Sequence, residues 1–279
     1  MGKNVCKVGS VEIGAGRALA VIAGPCVLES EELGMEVGRV MRDECARLGL
    51  SYIFKASFDK ANRSSISSPR GPGLEKGLMW IERIGKALGV PTTTDVHEPV
   101  QAAAAAERVD CLQIPAFLCR QTDLLMAAGQ AAKARGRAVN VKKGQFMSPG
   151  EMRGAMKKLR ESGTENLMLT ERGTFFGYGR LVNDFLGLGD MMDLGPAVCF
   201  DVTHSTQLPG MAGEQTGGRP DRAPLLARAA VAAGVDCLFL EVHPEPSGAM
   251  SDGATMLKPE VAKGVLAEAA AIRRGLSGV

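Results

Sequence analysis

The stretch "RAVNVKKGQFMSPGEMRGAMKKLRESG", residues 137–163, holds one complete strand–loop–helix unit. Residues 137–141 have the length and β-branched content of a buried strand. Lys142 and Lys143 end the run. Ser148 followed by Pro149 joins an N-cap residue to a first-turn proline, which predicts a helix over 149–161 that stops before Gly163. How often the chain repeats this unit decides its architecture.

It repeats throughout. Strands are expected at 19–24 "LAVIAG", 51–55 "SYIFK", 91–94 "PTTT", 110–114 "DCLQI", 137–141, 166–170 "NLMLT", 197–201 "AVCFD" and 236–241 "DCLFLE". Helices are expected near 30–48, 73–88, 98–107, 121–135, 149–161, 181–187, 222–234 and 259–273. Strand alternating with helix makes the sheet parallel. Eight such units predict an α/β fold, a closed (β/α)8 barrel of the TIM type, as one domain over 1–279. Residues 4–16, "NVCKVGSVEIGAG", alternate around Gly9-Ser10 and read as a β-hairpin covering the bottom of the barrel, within an extension over 1–17. Residues 59–73 and 208–221 are rich in glycine and proline and are expected to be irregular loops near a site.

Bulk composition narrows the function. The net charge is +2 with no basic block and only 4% of residues are aromatic, which excludes nucleic acid as the main partner. No apolar run reaches the roughly 20 residues of a membrane span, and the start lacks a signal-peptide core, so a cytoplasmic protein is expected. The seven cysteines are scattered and form no CxxC, which argues against a disulfide framework or zinc ribbon.

In such a barrel the chemistry sits at the C-terminal ends of the strands. The polar residues there fall into two sets. Lys55, Lys60, Arg63, Arg120, Lys142 and Arg172 are cations converging on one mouth, which suits phosphates and a carboxylate. Cys26, His204, Glu241 and Asp252 follow strands that neighbour one another in a closed barrel. Thiolate, imidazole and two carboxylates suit a borderline divalent ion such as Zn²⁺, Fe²⁺ or Mn²⁺. Each residue alone has a plainer reading: a cysteine that packs, a carboxylate that caps, a lysine on a solvated rim. His97 and His243 read as structural or supporting residues.

The segments "AGPCVLES", "FKASFDKANRSSISSPRGPG", "TTTDVHEP", "LQIPAFLCRQTDLL", "VNVKKGQFMSPGEM", "LTERGTFFGYGRLVNDF", "FDVTHSTQLPG" and "EVHPEPSGAMSDGATML" together resemble the 3-deoxy-D-manno-octulosonate 8-phosphate synthases, in the same order over about residues 18–258. The resemblance implies condensation of phosphoenolpyruvate with D-arabinose 5-phosphate and water, releasing inorganic phosphate, in lipopolysaccharide biosynthesis. It implies a homotetramer and a divalent metal ion: Zn²⁺, Fe²⁺, Mn²⁺ or Co²⁺. Relatives that work without metal have Asn at the position of Cys26 and tend to have Cys at that of Ser251, so the resemblance assigns this chain to the metal-dependent class.

By the same matching, Cys26, His204, Glu241 and Asp252 hold the metal. Lys55, Ser57, Lys60, Gln113, Ala116 (through its backbone), Lys142 and Arg172 contact phosphoenolpyruvate. Asn62, Arg63, Ser64, Asp95 and Arg120 contact the sugar phosphate, with Phe117 and Arg63 acting across a subunit interface. Lys60, His204, Asp252 and Cys26 are the expected catalytic residues, Lys60 as a proton donor. The metal either activates water or polarises the aldehyde. Three rivals stay open at this level: a Schiff-base aldolase built on Lys142, an aldoheptulosonate-phosphate synthase taking erythrose 4-phosphate, and a non-catalytic sugar-phosphate sensor.

Overall fold

The structure, a computed structural model, describes residues 4–61, 69–212 and 215–277. The chain opens with β1 (Cys6–Val8) and β2 (Val11–Ile13), then runs β3 (Ala20–Gly24), α1 (Glu31–Leu48), β4 (Ser51–Lys55), α2 (Leu74–Leu88), β5 (Thr92–Asp95), α3 (Gln101–Arg108), β6 (Cys111–Ile114), α4 (Thr122–Arg135) and β7 (Ala138–Lys142). It continues with α5 (Met152–Glu161), β8 (Leu167–Glu171), α6 (Phe185–Met192), β9 (Ala197–Asp201), β10 (Gln207–Ala212), β11 (Gln215–Gly218), α7 (Ala223–Ala232), β12 (Cys237–Glu241) and α8 (Pro259–Ser277).

Strands β3 to β9 and β12 form a closed parallel barrel, because β12 pairs with both β3 and β9. Each barrel strand is buried on both faces, which is why it reads as a nearly continuous apolar run. Alternate side chains divide into two cores. Val21, Phe54, Leu112, Val139, Leu169, Val198 and Leu238 face the helices. Ala20, Ile22, Ile53, Cys111, Met168, Cys199, Cys237 and Phe239 fill the interior.

Helix limits follow local chemistry. The Ser30 side chain caps α1 by accepting from Leu33 N, and α1, α2 and α4 end at Gly49, Gly89 and Gly136 in left-handed conformation. Ser148 and Glu151 cap the 137–163 unit reciprocally, but the first turn, 149–151, is 3₁₀ and the α-helix proper begins at Met152.

The expected hairpin is β1–β2, with Gly9 at φ 55° in its turn. Cys6, Val8 and Ile13 are buried against the barrel interior, and Lys7 exchanges hydrogen bonds with Asn166, just before β8. The hairpin therefore closes the N-terminal end and leaves the C-terminal end as the mouth.

Two expectations change. The helix read at 181–187 lies at 185–192, because Thr174 and Val182 exchange both backbone hydrogen bonds at 2.9 Å and hold the chain before it in an extended turn. The 208–221 segment is not wholly irregular. It carries the antiparallel ribbon β10–β11, interrupted between Leu208 and Ala212, since backbone pairing needs no large side chains and Gly210 at φ 74° supplies the bend.

Candidate active site

The end of β12 delivers Glu241 into the mouth, fully buried. Its Oε1 accepts from Lys55 Nζ at 2.6 Å, and Lys55 also donates to the Cys26 carbonyl at 3.0 Å. This crossing is possible because β3 ends in glycine. A Cβ at position 24 would lie 1.9 Å from the Lys55 carbonyl oxygen. Cys26, two residues on, donates from Sγ to Asp252 Oδ2 at 2.9 Å. Asp252 stands in the left-handed region at φ 50°, a conformation aspartate tolerates better than most residues. One ligand atom each from Cys26, Glu241 and Asp252 lies within 4.8 Å of the other two.

His204 stands outside that group of three and approaches it through Glu241. Its backbone N–H donates to Asp201 Oδ1 at 2.9 Å, and its Nδ1 lies 2.7 Å from Asp201 Oδ2. An ionised carboxylate only accepts, so Nδ1 carries the proton and Nε2 presents a lone pair. That lone pair lies 3.6 Å from Glu241 Oε2, a buried oxygen without a hydrogen-bond partner among the described residues. Two electron-rich atoms facing each other in a dry site, beside a thiol and a second carboxylate, fit a cation between them. Burial, then Asp252 and Glu241, push the Cys26 thiol up well above its usual range, while Lys60 and Lys55 pull it down. In the free protein the thiol therefore carries its proton, and a metal would displace it.

Asp201 also accepts from Lys142 Nζ at 2.6 Å, and that ammonium sits 3.6 Å from the centroid of the Phe239 ring. Across the mouth, Asp95 accepts from Ser57 Oγ and Gln113 Nε2, with Lys55 at 3.9 Å and Lys60 at 4.0 Å. Burial alone would raise the carboxyls of Asp95, Glu241 and Asp201. The surrounding lysines and hydrogen bonds outweigh it and hold all three well below the carboxylate range: Lys55 and Lys60 for both Asp95 and Glu241, Lys142 and the hydrogen bond from His204 for Asp201. Burial likewise pulls Lys60 down, but the carboxylates of Glu241, Asp95 and Asp252 push it up, so it is protonated.

Arg172, just past β8, is buried. Its Nη2 donates to Gln207 Oε1, while Nη1 is buried with no partner among the described residues. Ala116 lies buried in the 3₁₀ turn after β6; Phe117 is 51% exposed, and Arg120 is exposed on the rim. Asn62, Arg63 and Ser64 lie outside the described residues. Lys143 is buried beside Glu171, 3.5 Å away, and donates to the carbonyls of Gly144 and Met147. His97 packs edge-on against Phe58, with burial lowering its pKa, and His243 accepts from Glu245 N at 3.0 Å.

Sequence reasoning gave Asp201 no role and passed over Asn140, Thr170, Gln207 and Phe239. Asn140 and Thr170 did carry a signal: a polar residue inside an apolar strand is out of place unless it serves a neighbour. Gln207 carried none, because its value lies in the ribbon that brings it to Arg172.

A family model described as the DAHP synthetase I family matches residues 3–272. Curated relatives agree. A protein of Cyanothece sp. is 52% identical over 96% of each chain, one of Synechococcus sp. is 53% identical over 90% of this chain and 88% of its own, and one of Koribacter versatilis is 50% identical over 97% and 96%. Each is named 2-dehydro-3-deoxyphosphooctonate aldolase.

Proposed function

The chain belongs to the DAHP synthetase I family, and we propose that it is a metal-assisted catalyst whose cationic mouth holds two phosphorylated substrates. The reaction is that of the 2-dehydro-3-deoxyphosphooctonate aldolases: phosphoenolpyruvate, D-arabinose 5-phosphate and water give 3-deoxy-D-manno-octulosonate 8-phosphate and inorganic phosphate, a step of lipopolysaccharide biosynthesis. One observation carries the assignment of the site. Cys26, Glu241 and Asp252 meet at the mouth that also receives Lys55, Lys60, Lys142 and Arg172.

In this reading Cys26, His204, Glu241 and Asp252 would hold a divalent cation: Zn²⁺, Fe²⁺, Mn²⁺ or Co²⁺. Bound there, such an ion would supply Lewis-acid polarisation to an adjacent oxygen of water or of the sugar aldehyde. The protein's own groups do the rest. Arg172, whose Nη1 has no partner among the described residues, and Lys142 receive the phosphate of phosphoenolpyruvate and offset its charge as it leaves. Lys55, Ser57, Gln113 and the Ala116 backbone hold the remainder of that substrate. C3 of phosphoenolpyruvate attacks the aldehyde carbon and water adds at C2. The hemiketal then collapses to a ketone as its C2–O bond to phosphate breaks, one proton of the water going to the departing phosphate and the other restoring Lys60. Lys60, protonated beside Asp95, gives its proton to the new alkoxide. Asp201 keeps His204 in one tautomer and Lys142 in place.

We infer a cytoplasmic homotetramer. Phe176 and Tyr178, between β8 and α6, and Leu186, on α6, are 95%, 98% and 85% exposed, apolar surface that a subunit contact would cover. No described helix is long and apolar enough to cross a membrane. Light scattering at micromolar concentration should give four times the chain mass. The activity is tested by phosphate release from phosphoenolpyruvate with arabinose 5-phosphate against erythrose 4-phosphate. Release with the five-carbon sugar is expected, and preference for the four-carbon sugar would refute the assignment.

A further inference from the structure

A line of buried amides and hydroxyls crosses four adjacent barrel strands. Thr170 Oγ1 on β8 donates to Asn140 Oδ1 on β7 at 2.7 Å. Asn140 Nδ2 donates to Gln113 Oε1 on β6 at 3.0 Å. Gln113 Nε2 donates to Asp95 Oδ1 on β5. Asn140 and Thr170 are wholly buried, and the barrel register brings the strands side by side: Asp95 against Gln113, Gln113 against Asn140.

The direction of this line is chemically forced. Asp95 is ionised among lysines and can only accept, so Gln113 must turn its NH₂ toward it. The Gln113 oxygen then faces Asn140, which must offer its own NH₂. The Asn140 oxygen is left facing Thr170, whose rotatable hydroxyl supplies the last donor. Reversing any one amide would set oxygen against oxygen. The result is a Gln113 amide nitrogen locked in the mouth, with Asp95 its only partner among the described residues, and carrying a second hydrogen. A flipped Gln113 would show oxygen to an anionic substrate instead. Apolar residues at 140 and 170 would leave the buried Gln113 oxygen without a donor, so the polarity of these two positions serves Gln113 rather than packing.

We propose that Asn140, backed by Thr170, is a positioning residue for the condensation: it fixes the Gln113 amide so that the mouth meets a donor. The proposal rests on the reading of Gln113 as a contact to phosphoenolpyruvate. The test is steady-state phosphate release for Gln113→Leu, Asn140→Leu, the double variant, and Thr170→Val, with melting curves to confirm that each folds. Gln113→Leu and Asn140→Leu should each raise the KM for phosphoenolpyruvate about tenfold, the worth of a hydrogen bond to a charged group, while the KM for arabinose 5-phosphate stays within about twofold. The double variant should be no worse than Gln113→Leu alone, because Asn140 acts only through that amide. Thr170→Val, which keeps the shape of the side chain, should show the same selectivity at about threefold. If Gln113→Leu leaves the KM for phosphoenolpyruvate unchanged, the site reading falls and takes this inference with it. If Gln113→Leu is impaired but the Asn140→Leu loss multiplies with it, or falls equally on both substrates, the positioning role alone is overturned.

Discussion

The barrel has a sulfur-rich floor and, among the charged groups of its mouth, the thiol of Cys26, and the two behave differently although all of these cysteines are buried. On the floor, Cys6, Cys111, Cys199 and Cys237 lie among Ile22, Ile53, Met168 and Phe239. Cys111 and Cys237 donate weakly to the carbonyls of Leu112 and Leu238, at 3.8 and 3.5 Å, beside the Thr93 hydroxyl and the Cys199 thiol respectively. Burial pushes the Cys111 thiol up to about 12, and among the described residues it joins no group of three or more side chains that could share an ion. At the mouth, Cys26 is as buried but touches Asp252 and neighbours Glu241 and two lysines. Burial therefore does not decide whether a cysteine is inert; the donors around it do.

The sharpest break of this comparison is Cys26→Ala against Cys237→Ala. Removing the mouth thiol should abolish metal retention and cut kcat by on the order of a thousandfold or more, since the ion loses a charged ligand. The floor variant should keep its metal and its kcat within about twofold. Cys26→Asn sharpens it further: the resemblance to metal-independent relatives predicts a residual activity that chelator does not remove, measured by phosphate release in EDTA.

Next in size is Asp201→Asn. It leaves His204 without its anionic partner, and the affinity for divalent metal should fall roughly 10–100-fold by titration. A smaller effect concerns acid. Asp95, Glu241 and Asp201 are held below their unfolded values, so the stability they lend is present above pH of about 4 and drains away as pH falls through that value toward their folded ones. Melting temperature should drop steeply below pH of about 4. Asp201→Asn should flatten that slope, whereas Cys237→Ala, at a thiol that burial pushes well above its usual range, should not touch it. Smallest is the floor itself: Cys237→Ala should cost about 1–2 kcal/mol by denaturant melt, the worth of a small buried group.

Much of this was legible in the sequence because barrels repeat. Eight apolar runs joined by capped helices fix the topology, and polar residues at strand ends fix where the mouth lies. Cys26, Glu241 and Asp252 could be gathered from strand order alone. Two kinds of feature resisted. Glycine-rich segments such as 207–218 pair through their backbones, which leaves no side-chain periodicity to read. Residues such as Asn140 and Phe239 act through a neighbour on the next strand, and their meaning depends on register, which composition does not carry.

The account turns on a cation held between the Cys26 sulfur, the His204 imidazole and two carboxylates. The most direct measurement is metal content and phosphate release on the same purified protein, before and after chelation and after return of Zn²⁺, Fe²⁺, Mn²⁺ or Co²⁺. About one ion per chain, turnover that disappears with it and comes back with at least one of the four, and no ion in Cys26→Ala are the expected results. Undiminished turnover by metal-free wild-type protein would contradict the account.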